Sequence, residues 1–187
     1  MSQISPNFSI AEFVPMSVNT RALAPELNPN DIAPRIAALC LAVLEPWRTI
    51  VGPIHINSGL RDVLKNAALA TDPASQARVA AHVGPHCLAE CADCALLELD
   101  KLDDDARDAA YVVAFGKLYE LAHREAGLPV HEAILEYGHD NKRVTHIHVQ
   151  ATLRKDPARR FITRTWKNNA DGVPCELYTP WLPPKEG

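Results

Sequence analysis

Two strand-like runs, Ala133–Tyr137 and Val144–Thr152, joined by Gly138-His139-Asp140-Asn141-Lys142, constrain this chain more than any other feature. Apolar and β-branched residues flanking a five-residue connection with Gly, Asp and Asn are hairpin chemistry. An antiparallel pair here must bury one face, and the helical patterns upstream supply the cover. A helix is expected from near Asp31, with Ile32, Ile36, Leu39, Val43 and Leu44 at helical spacing, ending around Trp47–Ile50 before Gly52-Pro53. Ile54-His55-Ile56-Asn57-Ser58 alternates like a short strand and turns at Gly59. Residues 62–82 are alanine-rich and helix-compatible, with a loop at Asp72-Pro73, and Leu96–Leu99 reads as a strand end. Asp105–Ala126 carries Val112, Phe115, Leu118, Leu121 and Ala122 at amphipathic spacing and is closed by Gly127. Residues 1–30, broken by Pro6, Pro15, Pro25 and Pro29, read as an ordered arm or short helix with loops. The order predicts an α+β fold, helices packed on a small antiparallel sheet. Residues 1–152 form the domain with its N-terminal arm, and 153–187 a basic, then Pro-rich extension packed on the surface.

Composition narrows the function classes. At 47% hydrophobic residues the chain can bury a core. A net charge of −4 with dispersed basic residues argues against a nucleic-acid-binding surface. The local strip Arg154, Lys155, Arg159, Arg160 and Arg164 reads as solvated surface. No apolar run is long enough for a membrane span, and MSQISPNFSIAEF is not a secretory signal. Five cysteines, three of them crowded at Cys87, Cys91 and Cys94, make a poor disulfide framework and point to synthesis in a reducing cytoplasm.

The residues suited to chemistry are few. His86 and Asp93 stand seven apart, and imidazole and carboxylate are both zinc ligands. Alone they fit a hydrogen-bonded loop pair better than a metal site. A third ligand can come from Thr145-His146-Ile147-His148, where alternate strand residues share a face, so His146 and His148 point the same way. Either could ligate a metal while the other serves as acid, base or hydrogen-bond donor. Three protein ligands leave a fourth position for water, the mark of a catalytic zinc site.

Several segments in the same order resemble the M15 family of zinc peptidases, which includes D-Ala-D-Ala carboxypeptidases and phage L-Ala-D-Glu endopeptidases. Val43-Leu44-Glu45-Pro46-Trp47-Arg48 through Ile56-Asn57-Ser58-Gly59-Leu60-Arg61 is similar to that family's helix leading into a strand with a Ser-Gly-Tyr-Arg-like turn. Gly84-Pro85-His86-Cys87-Leu88-Ala89-Glu90-Cys91-Ala92-Asp93 falls on its Ser-x-His-x-x-Gly-x-Ala-x-Asp motif, and His146-Ile147-His148 on its Trp-x-His strand. Phe8-Ser9-Ile10-Ala11-Glu12-Phe13 looks like its N-terminal segment, so the resemblance runs from about residue 8 to residue 152. It implies an M15 (Hedgehog/D-Ala-D-Ala peptidase)-like fold, zinc held by His86, Asp93 and His148, and Arg61 anchoring the substrate's carbonyl or carboxylate. For the general base two candidates stand, Glu136 and His146, because relatives with an acidic residue three positions before the last histidine have Thr145 here. Glu136 is preferred, a carboxylate being able to accept a proton and return it to the leaving amine, with His146 as donor to the oxyanion. The departures are Gly84 for Ser, Ala89 for Gly, Cys91 for Ala and Leu60 for Tyr.

The expectation is therefore a zinc peptidase acting on the peptide stem of bacterial peptidoglycan. It would be phage-encoded, made in the bacterial cytoplasm, and would act after release at lysis or as part of a virion. The extension would then offer attachment to other phage structural proteins. The alternative is a catalytically inactive M15-like structural or wall-binding part of a phage particle. Two rivals use the cysteines: an iron–sulfur cluster on Cys87-x-x-x-Cys91-x-x-Cys94, and a structural zinc site of those three with His82 or His86.

Overall fold

The computed structural model describes residues 2–69, 83–151, 158–168, 170, 172 and 174–183. Among them six strands form one sheet: β1 (Ile54–Ser58), β2 (Cys91–Leu96), β3 (Val130–Tyr137), β4 (Val144–Ala151), β5 (Arg160–Asn168) and β6 (Pro174–Pro180). Their spatial order is β1-β2-β4-β3-β5-β6, antiparallel throughout except for the parallel β3–β5 pair. The helices are α1 (Ile10–Phe13), α2 (Ile32–Leu39), α3 (Glu45–Val51), α4 (Val63–Ala68) and α5 (Asp104–His123). Between α2 and α3 the helical path loosens into a π-type stretch at Cys40–Leu44, just ahead of Pro46, whose nitrogen has no hydrogen to donate.

The architecture is mixed α and β, with the expected β3–β4 hairpin and the β1 strand at its centre and edge. Three strands arise where none was expected, β2, β5 and β6. Cys91–Leu96 is strand in full, and Leu97–Lys101, read as containing a strand end, is a 3₁₀ turn. Five of the six β2 residues are buried, so the segment has no polar alternation to read. The second surprise is the segment beyond residue 152. Rather than only lying on the surface, it supplies β5 and β6, which extend the sheet past β3 and make it larger than the small antiparallel sheet expected. The proposed loop at Asp72-Pro73, His82, Arg154 and Lys155 lie outside the described residues.

One face of the sheet is covered by α5. Phe115 on α5 meets Phe161 of β5 edge-on at 5.4 Å between ring centroids, and Trp181 at 5.2 Å. Strand alternation sends Cys94, Ile147, Leu135 and Val149 to the same side, and all are buried. Trp47 of α3 is fully buried and donates Nε1–H to the carbonyl of Ala114 at 3.0 Å, tying α3 to α5. Burial of such large side chains contributes on the order of 1.5–3 kcal/mol each and fixes which face is core. The opposite face is left for polar residues. No helix among the described residues is long and apolar enough to cross a membrane.

Candidate metal centre

Strand register assembles all of the site but His86 and Arg61. Asp93 on β2 lies opposite His148 on β4, His148 opposite Ile134 on β3, and Glu136 opposite His146. Directly paired residues share a face, so Asp93, His148, His146 and Glu136 all project away from α5. Ser58 on β1 lies opposite Asp93 and Arg164 on β5 opposite Glu136, and these extend the row in both directions.

His86 comes from a different element. Gly84-Pro85 opens a short 3₁₀ turn, Pro85–Leu88, with proline at a first-turn position where its missing N–H costs nothing. The turn ends at Ala89, which adopts φ 56°, in the left-handed region. This is the position at which the resembled motif carries glycine, the residue for which that conformation is unstrained. Arg61 N donates to the His86 carbonyl at 3.1 Å, which clamps the turn beside the end of β1. Gly59 completes the clamp. A Cβ built there would lie 2.6 Å from the carbonyl oxygen of Phe13, so only glycine admits α1 this closely. Its own carbonyl is 2.6 Å from His86 Nδ1. A proton on Nδ1 donated to that carbonyl leaves the Nε2 lone pair facing the sheet.

The ring nitrogens converge on one oxygen. His148 Nδ1 is 2.9 Å and His86 Nε2 3.2 Å from Asp93 Oδ1, while His146 Nε2 lies at 3.7 Å. Zinc bound at about 2.0–2.1 Å by N and O donors spaces tetrahedral ligands by about 3.3 Å, so the donors already stand near ligand–ligand distance. The other carboxylate oxygen, Oδ2, is bound by Arg61 Nη2, and Arg61 Nε donates to Ser58 Oγ at 2.9 Å. Arg61 thus engages a ligand of the candidate site, holding Asp93 so that Oδ1 faces the imidazoles. His86, Asp93, Glu136 and His148 are each 5–6% exposed.

Electrostatics follow from this crowding. Burial works to raise the Asp93 pKa, but hydrogen bonds from His148 and His86, and their charge when protonated, hold its carboxyl far below the usual range. For His146 burial favours the neutral ring, yet the hydrogen bond to Glu136 at 2.9 Å, with the charges of Glu136 and Asp93, raises its pKa. Cys91 is buried and its thiol pKa is pushed well up, mainly by desolvation.

Two donor groups emerge side by side. Ligand atoms of His86, Cys91 and His148 all lie within 4.8 Å of one another, as do those of Asp93, Glu136 and His146. The buried His86–Cys91–His148 group can hold a metal ion, and Asp93 Oδ1 sits between its two imidazoles. The second group is different, because Arg164 Nη2 is bound to Glu136 Oε2 and a guanidinium there opposes a further cation. Thr145 Oγ1 donates to the Glu136 carbonyl at 3.1 Å, fixing the strand pair at that point.

The structure brings together Arg61, His86, Asp93, Glu136, His146 and His148. The sequence placed Cys91 only as a departure from the motif and as a ligand in the cysteine-cluster rivals, and it did not place Arg164 in the site at all. Cys91 is a same-face donor only once residues 91–96 are known to be a strand, its i, i+2 spacing to Asp93 being the available signal. Arg164 reads as one of a solvated basic strip and is instead largely buried against Glu136. The cysteine-cluster rivals lose their geometry, since β2 sends Cys91 and Cys94 to opposite faces, with Cys94 in the core. No protein-family model matches the chain, and no curated protein sequence matches it significantly.

Proposed function

We propose that the chain is a zinc-dependent hydrolase of amide bonds in the peptide stem of bacterial peptidoglycan, built on an M15-like fold. The observation that carries this reading is the convergence of His86 Nε2 and His148 Nδ1 on Asp93 Oδ1, with the Glu136 carboxylate and His146 alongside. Two imidazoles and a carboxylate fit zinc, and the backbone carbonyl behind His86 is the outer support that metal-ligating histidines use. When bound, zinc supplies Lewis-acid polarisation of a carbonyl and acidifies water.

The chain's own residues do the rest. Glu136 accepts a proton from the attacking water and returns it to the leaving amine. His146, its pKa raised by Glu136, stays protonated to higher pH and donates to oxygen charge as it develops. Arg61 holds Asp93 in place, and the resemblance gives it the further task of meeting a substrate carbonyl or carboxylate. Arg164 bridges Glu136 to Glu176, whose other oxygen accepts from Tyr178, so strands β5 and β6 support the base. The setting that fits this reading is a bacteriophage, as an endolysin or a wall-opening virion part. Attachment to other phage proteins then falls to the C-terminal extension.

A second reading, a metal-holding but catalytically silent module of a phage particle, is favoured by one observation, the Cys91 thiol within the same donor group. Zinc content measured together with hydrolysis of purified peptidoglycan, for wild type and Glu136→Ala, separates the two. One zinc ion per chain with activity in the wild type alone is the expected result. Zinc without activity in either protein would transfer the assignment to the silent module, and iron with sulfide would end both.

A further inference from the structure

The residue at position 91 is unexplained by an open three-ligand site. Strand pairing places Cys91 opposite Gln150 and Asp93 opposite His148, so the thiol projects from β2 on the ligand face, one alternation away from Asp93. Its Sγ and one ring nitrogen each of His86 and His148 lie mutually within 4.8 Å, and the residue is 1% exposed. The neighbouring thiols are placed otherwise: Cys94 Sγ points into the core, 3.8 Å from the Ala92 carbonyl, and Cys87 lies on the turn beyond His86.

Charge balance singles out the same atom. A divalent ion here meets two imidazoles that are neutral when ligating, one carboxylate, and the Arg61 cation bound to that carboxylate. Glu136 is already matched by Arg164. The Asp93 charge is therefore offset by Arg61, and a dication in so buried a site lacks a compensating anion. A thiolate within reach supplies it, and sulfur is a preferred donor to zinc.

We propose that the Cys91 thiolate is a fourth protein ligand of this metal centre, with His86, Asp93 and His148, and that it occupies the coordination position hydrolysis needs open. On loading, the S–H bond breaks, the proton goes to solvent, and sulfur donates its electron pair to the metal. The inference rests on the metal centre of the proposed function and adds to it a closed resting state. Replacement of Cys91 by alanine, the residue at that place in the resembled motif, removes the fourth ligand and opens the site.

The full chain loaded with cobalt(II) reports this directly, because a cobalt–thiolate bond gives a sulfur-to-metal charge-transfer band in the near ultraviolet that nitrogen and oxygen ligands do not. Wild type and Cys94→Ala should show the band and Cys91→Ala should lose it, with one cobalt ion retained in all three. Peptidoglycan hydrolysis by zinc-loaded Cys91→Ala should exceed that of wild type several-fold. Cobalt bound by wild type without the band would overturn the proposal and leave the open peptidase centre intact. Failure of wild type to bind cobalt at all would remove the metal centre, and with it both readings. If Cys91→Ala does not fold, the wild-type spectrum decides, with Cys91→Ser as the comparison.

Discussion

Arg164 on β5 lies opposite Glu136 in the parallel β3–β5 pairing, and its Nη2 is bound to Glu136 Oε2 while Nη1 reaches Glu176 Oε1 at 3.0 Å. A buried carboxylate beside the candidate metal centre is thereby given a permanent partner from the last third of the chain. The guanidinium bridges two acids in one plane, a geometry an ammonium cannot reproduce. Arg164→Met should lower peptidoglycan hydrolysis by about 10–100-fold, the usual range for a partner standing behind a metal site. Zinc content should stay at the wild-type level. Arg164→Lys should recover only part of the loss, and full activity in either variant would detach β5 from the chemistry.

Glu136 itself should matter more. Glu136→Gln keeps the shape and removes the proton acceptor, so the rate should fall by about 10²–10⁴-fold. Steady-state hydrolysis beside metal analysis is the check. Retention of the rate with metal bound would hand the role of base to His146.

Removal of a ligand should show in stability as well as in metal content. A ligand present at about a hundred times its dissociation constant stabilises the folded state by about 2.7 kcal/mol. Wild type should therefore melt several degrees higher with zinc than with chelator. His148→Ala and His86→Ala should lose most of that difference, measured by differential scanning fluorimetry.

Gly59 is a steric requirement. Its hypothetical Cβ would sit 2.6 Å from the Phe13 carbonyl oxygen and 2.7 Å from Phe13 Cα, both backbone atoms that cannot swing aside. Gly59→Ala should cost about 1–3 kcal/mol in chemical denaturation. It should also weaken metal binding, because the carbonyl that fixes His86 moves with it. A variant with unchanged midpoint and metal affinity would show that α1 yields freely.

Two carboxylates outside the site should add to the acid sensitivity that Asp93 confers. Asp62 caps α4, accepting from Lys65 N at 2.8 Å and from Asn19 N at 3.0 Å, and Glu45 ties down the N-terminal arm through Ser5 and Asn7. Burial works to raise both pKa values, but these hydrogen bonds outweigh it and lower them. A folded-state pKa below the unfolded value, about 3.9 for Asp and 4.3 for Glu, adds stability that is present above the unfolded pKa. That stability disappears as pH falls through the folded pKa. Denaturation midpoints should therefore decline below about pH 4–5, and Asp62→Asn should flatten the decline while lowering stability at neutral pH by about 1 kcal/mol, because the amide offers one acceptor oxygen where the carboxylate uses two. An unchanged acid limb in Asp62→Asn would place the titration elsewhere.

The β1 strand and the α5 helix were legible in the sequence because each buries one face, which writes a period of two or 3.6 into the residues, whereas the hairpin was legible from its turn residues between apolar runs, since 133–136 and 147–149 are buried without a break. His86, Asp93, His146 and His148 were legible as residue types suited to a metal, and the hairpin's alternation already put the last two on one face. What tertiary structure decided is everything that depends on who lies beside whom. Strand β2 is buried on both faces and so carries no alternation, which hid Cys91 as a donor next to Asp93. Arg164 could not be told from a solvated arginine until the parallel pairing of β5 with β3 set it against Glu136. Gly59 and Ser58 gained their roles only when β1 met β2 and α1 closed over the turn. Local pattern records how each segment meets solvent, whereas register across a sheet joins residues from 58 to 164, a separation over which no local pattern carries information.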